Sequence, residues 1–480
     1  MAYPTGLNRA ARRRGALLSP SHATRLRPCA ILCSESFELL RGRKIMDISE
    51  VAQRIESHDY DRVAHPDQIA PLQGQDFDRC LAIAVQMKVS GRKDWAVRFL
   101  QRVIDVFPKE PSARYELAFL LQESKDLLGA VIQAEIARTL SPDSFRLGVH
   151  YGHLLAANGA HEEASRVLDT VKFNSEAELA ELRSIMDFNR YLQETPRSKA
   201  IYITRKLRDK YYWMHSREVA GAIEKAIQET RPFSLIRLGD GDGAHFSVNQ
   251  RDEERYPHLH ARVRKQHTEF LLGRDNDPEF TGYTAVTKTL ARHVKEADIL
   301  GISYSSWIEH EYDISSPVTI TCLMNTNRHF YENERVPGLT LCDQLIHAQL
   351  HQDRLMDPIM RQIKSMTVIS CLDGLPARIN ELFGISDIEL IKIPSETYAP
   401  HLYGEKHLAI SKHFPHAFWP TIQQLSVPHN GRVFLIAAGT FGKYYATIIK
   451  RHGGIALDLG SLVDGWMKLA SRPGYAEAFA

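Results

Sequence analysis

From about residue 215 onward, short apolar runs alternate with helix-like stretches, and this alternation restricts the fold more than any other feature of the chain. The runs are Phe233–Leu238, Asp298–Ile302, Val318–Leu323, Met366–Ser370, Ile388–Ile393, Val433–Ala437 and Ile455–Leu459. Helical patterns fill Arg217–Glu229, Thr284–Glu296, Thr340–Lys364, Pro376–Phe383 and Phe441–Arg451. Strands that are apolar on both faces must be covered on both faces. With helices between them, they predict an α/β domain with a mainly parallel sheet and flanking helices.

The first half follows another rule. Ala96, Ala130 and Ala164 are spaced 34 residues apart, as are Pro108 and Pro142, and Leu120-Leu121 recurs as Leu154-Leu155. Gly91 and Gly159 lie two such periods apart. A period of 34 with a small residue at a fixed place is that of paired antiparallel helices of the tetratricopeptide kind. Residues 76–190 therefore resemble three such repeats with atypical ends, within an all-α region spanning 46–200. Stacked helix pairs present a surface to a protein or peptide, or pack on a neighbouring domain. Their charged positions, such as Glu162 and Glu163, read most simply as a solvated face.

Residues 1–45 carry nine basic side chains and two acidic ones. They read as a disordered tail or translated upstream sequence rather than an organelle-targeting leader. From Met46 the pattern becomes orderly, and Asp47-Ile-Ser-Glu50 marks a helix start. The net charge of +2 makes no case for nucleic acid. The six cysteines form no CxxC pair and no zinc spacing, consistent with reduced thiols in the cytoplasm. No apolar run approaches the ~20 residues of a membrane span.

Ligands of parallel sheets sit at the carboxyl ends of strands. Here those ends collect Gly, Asp, Glu and Lys. The first run drops into Gly239-Asp240-Gly241-Asp242-Gly243, and later ends carry Asp373, Glu396, the turn Gly439-Thr440-Phe441-Gly442-Lys443, and Asp458. On an extended backbone Asp240 and Asp242 would point the same way, and would either repel or share a cation. Oxygen ligands suit Mn2+ or Mg2+ bridging to phosphate. Glycines at 239, 241 and 243 would admit a diphosphate and allow positive φ. A calcium loop starting at Asp240 fails, because Ala244 and Arg251 stand where ligands are required. A phosphoaspartate hydrolase fails at Gly243, and an ordinary turn stays open. The second glycine turn, leading into a helix, offers an anion site with Lys443 beside it. Its spacing is neither Walker A nor GxGxxG.

Together, RLGDGDG and the tail AAGTFGKYYATIIKRHGGIALDLGSLVDGW resemble the GT-D-fold glycosyltransferases over roughly residues 215–470. The resemblance implies a Rossmann-like sheet that binds a nucleotide-diphosphate sugar, usually UDP-linked, with a divalent cation. Asp240 and Asp242 match the acidic motif and would be catalytic and metal-holding. Arg237, Gly239, Gly241, Gly439, Gly442, Lys443 and Asp458 would line the nucleotide-sugar site. Two of these have ordinary alternatives: an ion pair with an acidic neighbour for Arg237, and a turn or cap for Asp458.

The expected activity is glycosyl transfer to an acceptor hydroxyl on a protein or glycan, which the helical repeats would help recruit. Glu396, Asp373 and His245 are candidate bases by position. The alternative is a helical-repeat scaffold whose C-terminal domain binds a nucleotide without turnover. A nicotinamide enzyme is weaker still, since only Asp458 and Asp464 approach the required acidic position.

Overall fold

A computed structural model describes residues 46–57, 59–63, 65–246, 250–272, 282–395 and 413–469. The leader and Glu396 lie outside the described residues. The chain divides into two compact units, Met1–Pro71 and Leu72–Ala480. In the described part of the first, α1 (Ile48–Glu56) is capped by Asp47, whose carboxylate accepts from the backbone N–H groups of Ser49 and Glu50 at 2.7 and 2.9 Å. A parallel bridge pairs Met46 with Ile69.

The second unit begins with helix pairs: α2 (Phe77–Val89) with α3 (Lys93–Val106), α4 (Pro111–Glu123) with α5 (Leu127–Leu140), and α6 (Phe145–Ala157) with α7 (His161–Leu168). First helices start at 77, 111 and 145 and second helices at 93, 127 and 161, so both series advance by 34. Ala96, Ala130 and Ala164, one on each second helix, are fully buried where neighbouring helices approach. The turn inside each pair needs one left-handed residue, and Gly91, Lys125 and Gly159 supply it at φ +82°, +68° and +82°. Pro108 and Pro142 sit in the turns, three residues ahead of the helices they precede. Two longer helices follow, α8 (Glu176–Glu194) and α9 (Arg197–Lys210).

After α10 (Ser216–Gln228) the chain enters a seven-stranded, wholly parallel sheet. In chain order its elements are β1 (Phe233–Arg237), α11 (Pro257–Leu272), β2 (Ile299–Ile302), α12 (Ser305–Ile314), α13 (Pro317–Glu332), β3 (Thr340–Asp343), β4 (Ser365–Ser370), α14 (Leu375–Phe383), β5 (Asp387–Lys392), β6 (Val433–Ile436), α15 (Phe441–Arg451) and β7 (Ile455–Asp458). The spatial order is β3-β2-β1-β7-β6-β4-β5. Leu235, Ile299, Leu435 and Leu457 pack on one face, and Ile236, Leu300, Ile436 and Ala456 on the other, each within a continuous core. The α/β reading of the sequence holds.

Two elements differ from expectation. Val318–Leu323, read as a strand, lies in α13. Ser316 caps that helix by accepting from the Thr319 N–H, and Pro317 occupies its first turn, so a β-branched run is overridden by a strong helix start. Thr340–Asp343, read as the start of a helix, is the edge strand β3, aligned with Ile299–Ile302. Four residues are too few to show a period.

The helical region is built into the sheet region. Buried Asp187 of α8 accepts from the His258 and Leu259 N–H groups at the start of α11, at 2.8 and 3.2 Å, and pairs with Arg190. A carboxylate from one helix thus caps another and meets the positive end of its dipole.

Candidate functional site

The carboxyl ends of β1, β7 and β6 lie side by side where the winding of the sheet reverses, the place where parallel sheets take ligands. β1 delivers Arg237 and the DGDG turn, β7 delivers Asp458, and the turn after β6 delivers Thr440 and Lys443.

Asp242 is buried, and its carboxylate is engaged on both oxygens. Oδ1 accepts from the Thr440 hydroxyl at 2.7 Å. Oδ2 accepts from the Gly239 N–H at 2.7 Å and lies 3.4 Å from the Lys443 ammonium. Burial pushes its pKa up, but Lys443, Thr440, His267 and the Gly239 N–H together hold it below the ordinary value. Lys443, also buried, lies 3.4 Å from Asp458 Oδ2 and donates to the Gly439 carbonyl at 2.9 Å. Burial opposes its charge, and the two carboxylates outweigh burial, so its pKa is raised. One buried ammonium between two buried carboxylates ties together three strand ends.

Arg237 joins the same network. Its Nε donates to the Asp458 carbonyl at 2.8 Å, and one terminal nitrogen donates to the Gln344 carbonyl at 2.9 Å and meets His347 Nδ1 at 2.6 Å. Its other terminal nitrogen lies 3.9 Å from Asp458 Oδ1, so Arg237 forms an ion pair with an acidic neighbour, Asp458. A Cβ on Gly460 would come within 2.1 Å of that guanidinium, and Gly460 takes φ +49°, so a side chain there would push Arg237 aside and strain the turn.

The acidic pair does not share one direction. The backbone is not extended through the motif: Gly241 is in the right-handed helical region at φ −99°, and Asp242 opens a 3-10 turn over Asp242–His245. That turn carries Asp242 inward, while Asp240 stays half-buried at the rim with Gln344 Nε2 donating to it at 3.4 Å. None of Gly239, Gly241 and Gly243 takes a positive φ, contrary to expectation. Space demands two of them instead. A Cβ on Gly241 would meet the His267 ring at 2.4 Å, and one on Gly243 would strike the Cys322 carbonyl oxygen at 1.8 Å.

Several participants carry no sequence signal of their own. Gln344 follows β3 and accepts from Ser303, which follows β2, at 2.9 Å. Glu311 lies on α12, where it and Ile308 form the buried face. Burial, then the charge of Asp240, raises its carboxyl to about 7. His267 of α11 lies behind the motif and bonds His245 at 2.8 Å, with the Tyr283 hydroxyl 3.2 Å from His245 Nε2. Burial lowers the His245 and His267 pKa values to about 3 and about 4. His245 is thus a neutral member of a buried chain. Asp373 pairs with Lys392 at 2.6 Å on the surface at the ends of β4 and β5. Gly439 and Gly442 shape the turn into α15, where a Cβ on Gly442 would press Ile436 at 2.9 Å.

Residues 214–389 match the family model described as a GT-D fold-like domain. That segment carries a GT-D-like domain, and α2–α9 precede it as a helical region. The match ends inside β5, whereas β6 and β7, which supply Lys443 and Asp458, lie beyond it. Among solved structures, a mutant O-GlcNAc transferase of Thermobaculum terrenum aligns at 12% identity over 81% of this chain and 75% of its own, with a TM-score of 0.24. At that score it carries no argument about this chain. No curated protein matches.

Proposed function

We propose that this protein transfers a glycosyl group from a nucleoside-diphosphate sugar, with UDP the expected nucleotide, to an acceptor hydroxyl. The observation that carries the reading is the gathering of Asp240, Asp242, Asp458, Lys443 and Arg237 at adjacent strand ends within a GT-D fold-like architecture. The network of Asp242, Lys443, Asp458 and Arg237 fixes the three strand ends before any ligand arrives, so the site needs little rearrangement. Departure of a nucleoside diphosphate builds negative charge on its β-phosphate. α15 begins at the turn from Gly439, so the positive end of its dipole lies at that edge, while the Gly442 and Lys443 N–H groups are already held by backbone carbonyls of the turn.

A divalent cation, Mn2+ or Mg2+, would neutralise the same charge. Asp240 suits one, being half-buried at the rim. Asp242 suits one poorly, because a cation there would face the Lys443 ammonium. Among the described residues no cluster of three or more His, Cys, Asp or Glu side chains is arranged to hold a metal. A cation would therefore rest on one or two carboxylates, with diphosphate and water completing its shell.

Of the candidate bases, His245 is committed to its hydrogen bonds and Asp373 to Lys392, and Glu396 lies outside the described residues. No helix among the described residues is long and apolar enough to cross a membrane. The helix pairs give the acceptor, a protein or a glycan, a surface adjoining the donor domain. The test is release of UDP from a panel of UDP-sugars in Mn2+, with wild type beside Asp240→Asn. Release that persists undiminished in Asp240→Asn removes this residue from the chemistry. Tight UDP binding with no turnover across the panel favours the non-catalytic scaffold.

A further inference from the structure

Gln344, the first residue past the end of β3, is buried and touches two members of the site at once. Its main-chain carbonyl accepts from the Arg237 guanidinium at 2.9 Å, and its side-chain amide reaches Asp240 Oδ1 at 3.4 Å. Its own N–H donates to the Ile302 carbonyl at 3.0 Å, which carries the β2–β3 pairing one residue further and fixes the main chain. β2 gives up a side chain to let these groups meet. A Cβ on Gly301 would come within 3.1 Å of the Asp343 carbonyl oxygen, 3.2 Å of Gln344 Cα and 3.3 Å of Arg237 Cγ.

The amide of Gln344 has a defined polarity. The Ser303 hydroxyl donates to Oε1 at 2.9 Å, so Nε2 is the end turned to Asp240. The reverse orientation would set an amide oxygen against a carboxylate, two acceptors with no proton between them. Ser303 is held in turn. Asn327 Nδ2, on α13, reaches the Ser303 carbonyl at 3.4 Å and Thr204 Oγ1, on α9, at 3.0 Å. The Thr204 hydroxyl donates to the Ala200 carbonyl at 2.9 Å. Thr204, Asn327, Ser303 and Gln344 are all buried, so a chain of bonds shielded from water runs from the helical region to Asp240. The two acids of the motif are held differently. Asp242 is locked by two bonds of 2.7 Å, whereas the 3.4 Å contact from Gln344 exceeds the usual ~2.9 Å. A bond of that length steers a carboxylate and can tighten when a ligand binds.

We propose that Gln344 is a positioning residue of the site: its amide, set by Ser303, aims the Asp240 carboxylate at the donor, while its carbonyl holds Arg237. The inference deepens the nucleotide-sugar reading and rests on it.

The test is steady-state UDP release by the full chain in Mn2+, from the UDP-sugar that wild type turns over fastest, with UDP affinity measured by calorimetry. Gln344→Glu keeps the length of the side chain and can still accept from Ser303, but it loses the donor to Asp240. Gln344→Met loses both bonds, and Ser303→Ala frees the amide to turn. The expected result is a fall in kcat of about tenfold or more in both Gln344 variants and a smaller fall in Ser303→Ala. In Gln344→Met and Ser303→Ala, KM and UDP affinity should stay within about threefold of wild type. A residue that only propped Ser303 would tolerate glutamate, so full kcat in Gln344→Glu overturns the assignment and leaves the transferase reading standing. Should the Gln344 variants fail to fold, full kcat in Ser303→Ala does the same. Wild type that releases no UDP from any UDP-sugar overturns the transferase reading, and with it the role of Asp240 that Gln344 would serve.

Discussion

The helix pairs and the strand-end site bury polar groups by opposite means. In α2–α7 one short-range rule is applied three times: a buried alanine, a left-handed turn residue and a 34-residue step. Each feature is satisfied within a pair or by its neighbour. The site is built from Arg237, Asp242, Lys443 and Asp458, drawn from positions more than 200 residues apart and assembled once. Repeated local packing spreads stability over many small terms. A buried charge network concentrates it in a few residues, and removing one leaves the others uncompensated.

The largest break in this contrast should come from Lys443→Met. It strands two buried carboxylates and should cost about 3–5 kcal/mol in denaturant unfolding. A loss under 1 kcal/mol would mean that the network is far better hydrated than its burial implies. Next is Gly243→Ala, where the new methyl would meet a backbone carbonyl that cannot swing aside. About 2–3 kcal/mol is expected. Gly91→Ala, at a left-handed turn with open space around it, should cost only about 1 kcal/mol. Equal losses at the two glycines would erase the distinction between crowding and backbone strain.

Acid should test both regions together. Burial lowers the pKa of His150 and His153 in the helix pairs to about 3 and about 4, and those of His245, His267 and His413 in the sheet region to about 3, 4 and 3. A folded pKa below the unfolded one means the unfolded chain binds more protons, so stability falls as pH drops below about 6.5. Each such histidine costs at most about 2 kcal/mol by pH 5. His267→Gln should flatten the fall of melting temperature between pH 7 and pH 5, and an unchanged slope would show that the imidazole already titrates in the folded protein. Glu311 has the opposite sign. Its raised folded pKa favours the native state below about 4.5 and is lost as pH rises through 7, so Glu311→Gln should gain on wild type at pH 8 and match it at pH 4. The smallest effect is expected at the junction. Gln122→Ala removes one donor to the end of α12 and should cost about 1 kcal/mol. If it also lowers Mn2+ affinity, the helix pairs are part of the site's framework.

Legibility in the sequence followed the range of the interactions. The alternation of apolar runs and helices foretold a parallel sheet, and the period of 34 foretold the helix pairs, because both patterns are written at short separation. The acids after β1, the lysine after β6 and Asp458 were visible as strand-end residues. Their mutual pairing was not, since it depends on β7 lying between β1 and β6. Val318–Leu323 misled because β-branched residues accept a helix when a capping serine and a first-turn proline begin one.

The sequence by itself determined the two architectures, the orderly start of α1 and the edge of the sheet at which charged residues collect. Only the tertiary structure decided which way each acid turns. A 3-10 turn takes Asp242 inward to Lys443, and α12, bonded at its end to Gln122 and His153 far away in the chain, buries Glu311. The physical reason is that a side chain's charge environment is set by neighbours in space, and Glu311, one of two glutamates in WIEHEYD, carries no mark of being buried until the helix around it is docked.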